Sequence, residues 1–431
     1  MFEKEKREIL DAALEIKKCN LISLSGGNVS MRAGENLFLV TPSGMIYEEM
    51  TADDVVVIDR DCRDKACALW KQLALRYRSR EVVGGYDLLN EPIIPPEAGN
   101  GDYDYLLPAL ESFYEEVITE IRKVDTGHML SIEGAHWATD VRIFHKKYDA
   151  NMVLHFHRYA EMPDKACLNR FIEAAGRLDV PLWMGETGEN TNPWYAALYP
   201  LAGALGIGYN LWPWKKMDTA NSPCSIRVPE GYHEILSYLE KGPHPGYERA
   251  QQILEEYLVN IRYENCEKHP EVTAHVFRRP PFSMQAVDFD AVPGEGVSWK
   301  GNGLPGEDKP YRKDTALEIR ERDTAWDKKF AFDCGWERLG LVLHAGEYAC
   351  YSLDCSLCPV HVLKLAFTCQ TEEEAVVQFG RKEGNTIQVI LHKNEKEAAV
   401  SLGVIPPGTG NTTIKIEILK GTVLFGQLHI S

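Results

Sequence analysis

The spacing of hydrophobic and polar positions changes twice along the chain. Residues 4–18 carry apolar side chains at helical spacing, and short strands are predicted around residues 37–40 and 55–58. From about residue 64 to residue 261, short apolar runs alternate with helical patterns. From about residue 270, the pattern becomes many short alternating strands separated by Gly, Asn and Pro turns. The chain therefore has three segments of different character.

The middle segment has the rhythm of β/α units. Its apolar runs are VVGGYDLLN, HMLSIEG, NMVLHFH, VPLWMGE and IGYNLWPW, and the intervals between them include the amphipathic patterns PALESFYEEVITEIRKV and DKACLNRFIEAAGRL. Runs that are nearly continuous in apolar residues are typical of parallel strands buried on both faces. The segment is therefore predicted to form a parallel sheet with helices between its strands.

The last segment reads as an all-β domain. Runs such as HVLKLAF, AVVQFG, IQVILH and TIKIEIL alternate apolar and polar positions and are divided by turn residues. We expect a β-sandwich here. The motifs QAVDFD at 285–290 and GEYACY at 346–351 resemble carbohydrate-binding modules of the jelly-roll type. Together with the middle segment, this predicts a multidomain protein of α/β plus all-β class.

Composition and charge limit the kinds of partner that this chain is expected to bind. A length of 431 residues favours two or three domains, and the formal charge of −17 argues against a nucleic-acid or anionic-membrane surface. A neutral substrate fits this charge better. The opening MFEKEKREIL has no apolar core of the length that a secretory signal needs, so the chain as written is expected to be cytoplasmic. Eleven cysteines without regular spacing favour mostly buried thiols over a disulfide framework.

Two glutamates follow predicted strands of the middle segment. Glu91 lies between Asn90 and Pro92, directly after the first apolar run, and Glu186 lies in GETGE after the run VPLWM. The gap of 95 residues corresponds to three β/α units of about 30 residues. Catalytic groups gather at the carboxyl ends of parallel strands, and glycoside cleavage uses two carboxylates. Each motif alone is also typical of a solvated loop. The hypothesis of a glycoside-cleaving site therefore depends on the two glutamates occurring together.

Five motifs in order resemble the later strands of the family 5 glycoside hydrolases. They are VVGGYDLLNEP, HMLSIEGAHWATD, HFHRY, PLWMGETGE and GIGYNLWPWKKMD, which resemble strands four to eight of that (β/α)-barrel. The resemblance implies a retaining β-glycosidase in which Glu91 is the acid/base and Glu186 the nucleophile. It implies substrate contacts by Asn90, His157 and Tyr159 and requires no cofactor and no metal. Relatives of this barrel are often secreted.

The neighbouring residues suit this chemistry. The resemblance implies that Asn90 bonds the sugar 2-hydroxyl, that Tyr159 positions the carboxylate of Glu186, and that Trp212 offers a flat face to a sugar ring. Each aromatic residue taken alone is as typical of a core as of a binding site. The expected partner is a β-glucan or related polysaccharide or oligosaccharide.

The first 61 residues resemble a different family, the class II aldolases and ribulose-phosphate epimerases. The motifs are SGGNVSMR and LVTPSGMIYEEMTADDVVVID. The resemblance implies a vestigial phosphate cradle of Gly27, Asn28, Ser43 and Gly44. The acidic residue and zinc-binding histidines that should follow in that family are missing, and so are the first three β/α units of a family 5 barrel.

The simplest account is a fusion of three parts: an aldolase-like fragment at 1–61, an incomplete family 5 barrel at 62–268, and a carbohydrate-binding-like β-sandwich at 269–431. Two other functions stay open. One is a zinc-dependent sugar-phosphate aldolase or epimerase, since VLHFHRYA contains a His-x-His pair at His155 and His157 with Glu133 upstream. The other is a catalytically silent carbohydrate-binding protein.

Overall fold

The structure is a computed structural model that describes residues 2–18, 29–33, 37–41, 47–52, 54–59, 63–98, 101–357, 361–381, 384, 386–406 and 408–431. The chain divides into two compact units. Unit 1 comprises residues 1–83, 112–127 and 226–266, and unit 2 comprises 84–111, 128–225 and 267–431. Among the described residues, no helix combines the length and the apolar character needed to cross a bilayer.

The N-terminal elements form a helix and a small antiparallel sheet. They are α1 (Glu3–Lys18), β1 (Ser30–Arg32), β2 (Leu37–Val40), β3 (Val56–Asp59) and α2 (Arg63–Tyr77), with the strands in the order β1-β2-β3. Ile9 of α1 packs with Leu39 and Val55 in a buried cluster. The predicted phosphate cradle of Gly27, Asn28, Ser43 and Gly44 lies outside the described residues.

The middle of the chain alternates strands and helices as predicted. In order the elements are β4 (Gly85–Asp87), α3 (Leu107–Arg122), β5 (Met129–Glu133), α4 (Ala135–Ala138), β6 (Met152–His157), α5 (Ala166–Leu178), β7 (Leu182–Glu186), α6 (Asn192–Ala204) and β8 (Gly208–Tyr209). The five strands form one parallel sheet in the order β4-β5-β6-β7-β8. All six residues of β6 are buried, as expected for a central strand covered on both faces.

Shorter elements follow. They are β9 (Lys215–Met217), β10 (Cys224–Ile226), α7 (Tyr232–Leu239), α8 (Tyr247–Asn260), β11 (Glu267–Lys268) and α9 (Pro270–Val276), and the three strands form a small sheet in the order β11-β10-β9. Helix α9 begins at a proline, which suits the first turn because proline lacks the amide hydrogen that this turn leaves unpaired.

The C-terminal part consists of two antiparallel sheets. Its strands are β12 (Phe282–Gln285), β13 (Trp299–Lys300), β14 (Glu318–Glu321), β15 (Leu339–His344), β16 (Tyr348–Asp354), β17 (Val362–Gln370), β18 (Ala375–Arg381), β19 (Thr386–Leu391), β20 (Glu397–Val404), β21 (Asn411–Lys420) and β22 (Thr422–Ile430). One sheet has the order β14-β15-β22-β17-β20 with β12 also on β22, and the other has the order β13-β16-β21-β18-β19.

Alternate residues of these strands face a shared apolar interior. Strand β17 alternates buried and more exposed positions along most of its length, and the ring of Phe367 lies 5.1 Å from that of Phe379 on β18 of the other sheet. The predicted combination of α/β and β-sheet structure is confirmed. The incomplete barrel, the jelly-roll type and the three-part division of the chain stay predictions.

Candidate active site

The predicted glutamates lie at one edge of the parallel sheet. Glu91 follows β4 after a three-residue interval, His157 is the last residue of β6, and Glu186 is the last residue of β7. The register places His157 beside Glu186, after a shift in pairing between Phe156 and His157. Since parallel strands carry their carboxyl ends at the same edge, these side chains converge.

Both carboxylates contact one imidazole nitrogen. The Nδ1 atom of His157 lies 2.7 Å from Oε1 of Glu91 and 3.6 Å from Oε2 of Glu186. One carboxylate oxygen of each glutamate falls within 4.8 Å of the other. The side chain of His157 is 1% exposed, whereas those of Glu91 and Glu186 are 30% and 18% exposed. The carboxylates are thus open to a ligand while the histidine behind them is enclosed.

Glu186 is fixed by two residues that directly follow β6. The hydroxyl of the half-buried Tyr159 donates a hydrogen bond of 2.6 Å to Oε2 of Glu186, and the backbone amide of Arg158 donates one of 2.9 Å to its carbonyl oxygen. Burial and the bond to Glu186 raise the pKa of Tyr159 well above its usual value, so the phenol stays protonated as a donor. The Glu186 carboxylate is therefore held in one orientation.

Glu91 has an unusual backbone held by Glu133. Its φ angle is +48°, in the left-handed region that few residues other than glycine adopt, and its amide donates to Oε2 of Glu133 at 2.5 Å. Glu133 is the last residue of β5 and is fully buried. Strained backbone of this kind persists where surrounding contacts fix it and is frequent at functional sites.

The charge state of His157 follows from this setting. Burial acts to lower the pKa of His157, but hydrogen bonds with Glu133 and Glu91 and the charge of Glu186 outweigh burial. The net effect raises the pKa of His157 to about 9. At neutral pH the imidazole is therefore positively charged between two acidic groups, which keeps the glutamates close together.

A second histidine lies directly behind the first. Nε2 of His155 is 3.2 Å from Nε2 of His157, and Nδ1 of His155 is 2.9 Å from the hydroxyl oxygen of Ser131 and 3.3 Å from Oδ1 of Asp87. The ring of His155 stacks on Trp183 with centroids 4.4 Å apart. The site thus has a buried polar layer beneath the carboxylates.

A pocket of about 540 Å³ opens beside Glu186. Asn90, Trp212 and Trp214 line it, and the two indole side chains belong to residues that are 49% and 56% exposed. The pocket continues inward to Asp87 and His155. It offers aromatic faces at the rim and polar groups below, an arrangement suited to a sugar.

The structure brings the predicted site residues together. Glu91, His157, Tyr159 and Glu186 are linked by direct contacts, and Asn90 and Trp212 line the adjoining pocket. Sequence reasoning missed the bond from Glu133 to the Glu91 amide, the layer around His155 and the exposed Trp214. Side chains of a strand alternate between its two faces, so His155 and His157 lie on the same face of β6. This spacing was the sequence signal from which the buried layer could have been predicted.

Residues 49–218 match the cellulase model of glycosyl hydrolase family 5. This family 5 segment contains β4 to β8 and all the linked site residues. Residues 7–79 match the N-terminal domain of class II aldolases and adducins. Both predicted resemblances are confirmed, and the resemblance of the C-terminal part to carbohydrate-binding modules stays a prediction.

Individual relatives match short stretches. A β-xylosidase from Phanerodontia chrysosporium is 33% identical over 85 residues, covering 20% of this chain and 16% of that protein. An L-ribulose-5-phosphate 4-epimerase from Salmonella paratyphi B is 38% identical over 60 residues, covering 14% of this chain and 26% of that protein. The chain therefore spans about a quarter or less of these two curated relatives.

Solved structures give weaker likenesses. Endoglucanase Cel5A from Thermotoga maritima matches with 19% identity and a TM-score of 0.30, over 35% of this chain and 59% of that one. A structure from Cytophaga hutchinsonii matches with 17% identity and a TM-score of 0.32, over 46% of this chain and 64% of that one. In both cases the match spans less than two thirds of the solved chain.

Proposed function

We propose that this protein is a glycoside hydrolase that cleaves a β-linked glucan or a related polysaccharide by retaining double displacement. Glu91 is the acid/base and Glu186 the nucleophile in this proposal. The match of residues 49–218 to family 5 cellulases supports the substrate class. The proposal needs no cofactor for the reaction itself.

The spacing of the two carboxylates carries the proposal. Retaining enzymes hold their carboxyl groups about 5 to 5.5 Å apart, whereas inverting enzymes need about 6.5 to 9.5 Å to admit a water molecule. Oxygens of Glu91 and Glu186 lie within 4.8 Å of each other at the carboxyl edge of the sheet. One oxygen of each carboxylate within this limit is compatible with the shorter spacing, at which a carboxylate attacks directly.

In the first step Glu91 protonates the glycosidic oxygen while Glu186 attacks the anomeric carbon. His157 contacts one oxygen of Glu91 at 2.7 Å, which leaves the second oxygen for the leaving group. Tyr159 fixes Oε2 of Glu186 at 2.6 Å. In the second step Glu91 takes a proton from water, which then releases the sugar from Glu186.

The pocket supplies the substrate contacts. Asn90 is placed to bond the 2-hydroxyl of the sugar, a contact that strengthens as positive charge develops on the ring. Trp212 and Trp214 give half-exposed aromatic faces on which sugar rings stack. Both indoles line the same pocket as Glu186, so the rings they hold lie next to the nucleophile.

The finer architecture belongs to the same proposal. The five consecutive parallel strands are taken as the later part of a (β/α)-barrel, and the two C-terminal sheets as a jelly-roll module that binds carbohydrate. The strand order β4-β5-β6-β7-β8 supports the first assignment. Alternating burial and the facing rings of Phe367 and Phe379 support the second.

Covalent trapping tests the proposal. The protein is incubated with 2-deoxy-2-fluoro β-glycosyl fluorides of glucose, cellobiose and xylose, and its mass is then measured. We expect one glycosyl adduct on Glu186 in the wild type and none in Glu186→Gln. Glu189→Gln is the matched control, because Glu189 lies on the same loop and pairs with Lys216. That variant should label like the wild type.

Glu91→Gln tests the acid role separately. On aryl β-glycosides, its loss of rate should be largest for poor leaving groups and smallest for good ones, since a good leaving group needs little protonation. Absence of any adduct with all three reagents, or an adduct that persists in Glu186→Gln, would contradict the assignment.

A further inference from the structure

The buried layer beneath the carboxylates contains a cluster with the chemistry of a metal site. Glu133, His155 and His157 are 0%, 3% and 1% exposed and bring ligand atoms within 4.8 Å of one another. They come from the neighbouring strands β5 and β6 of the parallel sheet. Two imidazoles and one carboxylate are a ligand set that Zn²⁺ uses with water in the fourth position.

The spacing of these atoms suits a tetrahedral ion. At a metal–nitrogen distance of about 2.0 to 2.1 Å, two tetrahedral ligands lie about 3.3 Å apart. The Nε2 atoms of His155 and His157 are 3.2 Å apart, and Oε1 of Glu133 is 3.5 Å from Nε2 of His157.

The second nitrogen of each histidine and the second oxygen of Glu133 already contact other groups. Nδ1 of His157 contacts Glu91, Nδ1 of His155 contacts Ser131, and Oε2 of Glu133 accepts from the Glu91 amide. Histidines that bind metals are usually oriented in this way through their second ring nitrogen, and ligating carboxylates are likewise hydrogen-bonded. The cluster therefore has both the ligands and the supporting contacts of a metal site.

We infer that Glu133, His155 and His157 bind one divalent transition metal ion, Zn²⁺ or one of similar ligand preference. The site belongs to the family 5 segment and is separate from the aldolase-like match at residues 7–79. His155 lines the pocket beside Glu186, which gives an ion a path to the cluster. Binding requires a deprotonated Nε2 on both histidines and so releases protons.

An inhibitory effect follows, and this part rests on the proposed function. An ion on Nε2 of His157 fixes the imidazole whose other nitrogen contacts Glu91 and Glu186. It also brings two positive charges next to the carboxylates that must exchange a proton during turnover. We therefore expect Zn²⁺ to slow hydrolysis and a chelator to restore it.

Calorimetric titration of the chelator-treated full chain with zinc chloride tests the binding. We expect one ion per chain in the wild type and in His392→Gln, which alters an exposed histidine elsewhere. His155→Gln should abolish the signal. Ser131→Ala, which keeps all three ligands, should weaken zinc binding about 10- to 100-fold. This variant tests the metal site if His155→Gln does not fold.

Glu186→Gln separates this cluster from the other acidic group around His157, formed by Glu91, His157 and Glu186. Because Glu186 is not a ligand of this cluster, Glu186→Gln should still bind one zinc ion per chain if Glu133, His155 and His157 hold the ion. No binding to the wild type, unchanged affinity in Ser131→Ala, or loss of binding in Glu186→Gln would overturn the inference. Zinc binding by a protein that shows no hydrolysis would support the metal site and contradict the proposed function.

Discussion

The absence of a side chain at Gly185 makes room for the ring of His155. A methyl group on Gly185 would lie 2.6 Å from Cδ2 of His155 and closer still to Nε2, whereas ordinary contact begins at about 3.4 Å. The ring is enclosed by Trp183 and Ser131 and is 3% exposed as a residue. Because Nε2 is the closest atom, Gly185→Ala must push the ring of His155 by more than about 1 Å into a filled region.

The expected loss of stability is several kcal/mol. Overpacking a filled interior costs about 1 to 3 kcal/mol. Moving the ring also breaks the 2.9 Å contact with Ser131 or the 3.2 Å contact with His157, and one buried polar group left without its partner costs about 1 to 3 kcal/mol more. The two effects together give a fall of about 2 to 6 kcal/mol in the free energy of unfolding.

Gly176→Ala is the matched control. A methyl group on Gly176 meets nothing within 4 Å, and the residue lies inside α5, where alanine is favoured over glycine by about 0.5 to 1 kcal/mol. Guanidinium unfolding followed by tryptophan fluorescence should show Gly185→Ala unfolding at lower denaturant and Gly176→Ala at equal or higher denaturant. Equal midpoints for the two variants would refute the packing argument.

Two further predictions concern single hydrogen bonds. Tyr159→Phe removes a hydrogen-bond donor to the carboxylate of Glu186 and should lower kcat/KM on aryl β-glycosides about 10- to 100-fold. A rate equal to that of Tyr105→Phe, a change at an exposed tyrosine, would contradict this. A hydrogen bond from Arg142 lowers the pKa of Asp104 to about 2 from an unfolded value near 3.9, so this stabilisation is present above about pH 4 and lost between about pH 4 and 2. Asp104→Asn should flatten the fall in Tm over that range, and parallel Tm curves would refute this.

The pattern along the chain was enough to predict the parallel sheet and the edge that carries Glu91 and Glu186. Continuous apolar runs marked strands buried on both faces, and β6 is buried throughout. Glu91 and Glu186 were found because each follows such a run directly. Their position at the end of a strand depends only on which residues follow an apolar run, and the sequence shows this directly.

The contacts between strands could not be predicted in the same way. The shift in pairing after Phe156 sets His157 beside Glu186, and register of this kind depends on packing across the sheet. The bond from the Glu91 amide to Glu133 depends on a left-handed backbone at a non-glycine residue, which propensity disfavours. The compact units also join segments far apart in sequence, which a linear pattern does not reveal.

The place of β22 in its sheet has a consequence for synthesis of the chain. Residues 422–430 form a central strand that pairs with β12, β15 and β17, and Val423, Phe425, Leu428 and Ile430 are buried there. Strands of the parallel sheet can assemble with the neighbour made just before them. The larger antiparallel sheet must instead wait, with open strand edges, until residues 422–430 have left the ribosome. The sheet is therefore most prone to aggregation in the interval before β22 is available for pairing.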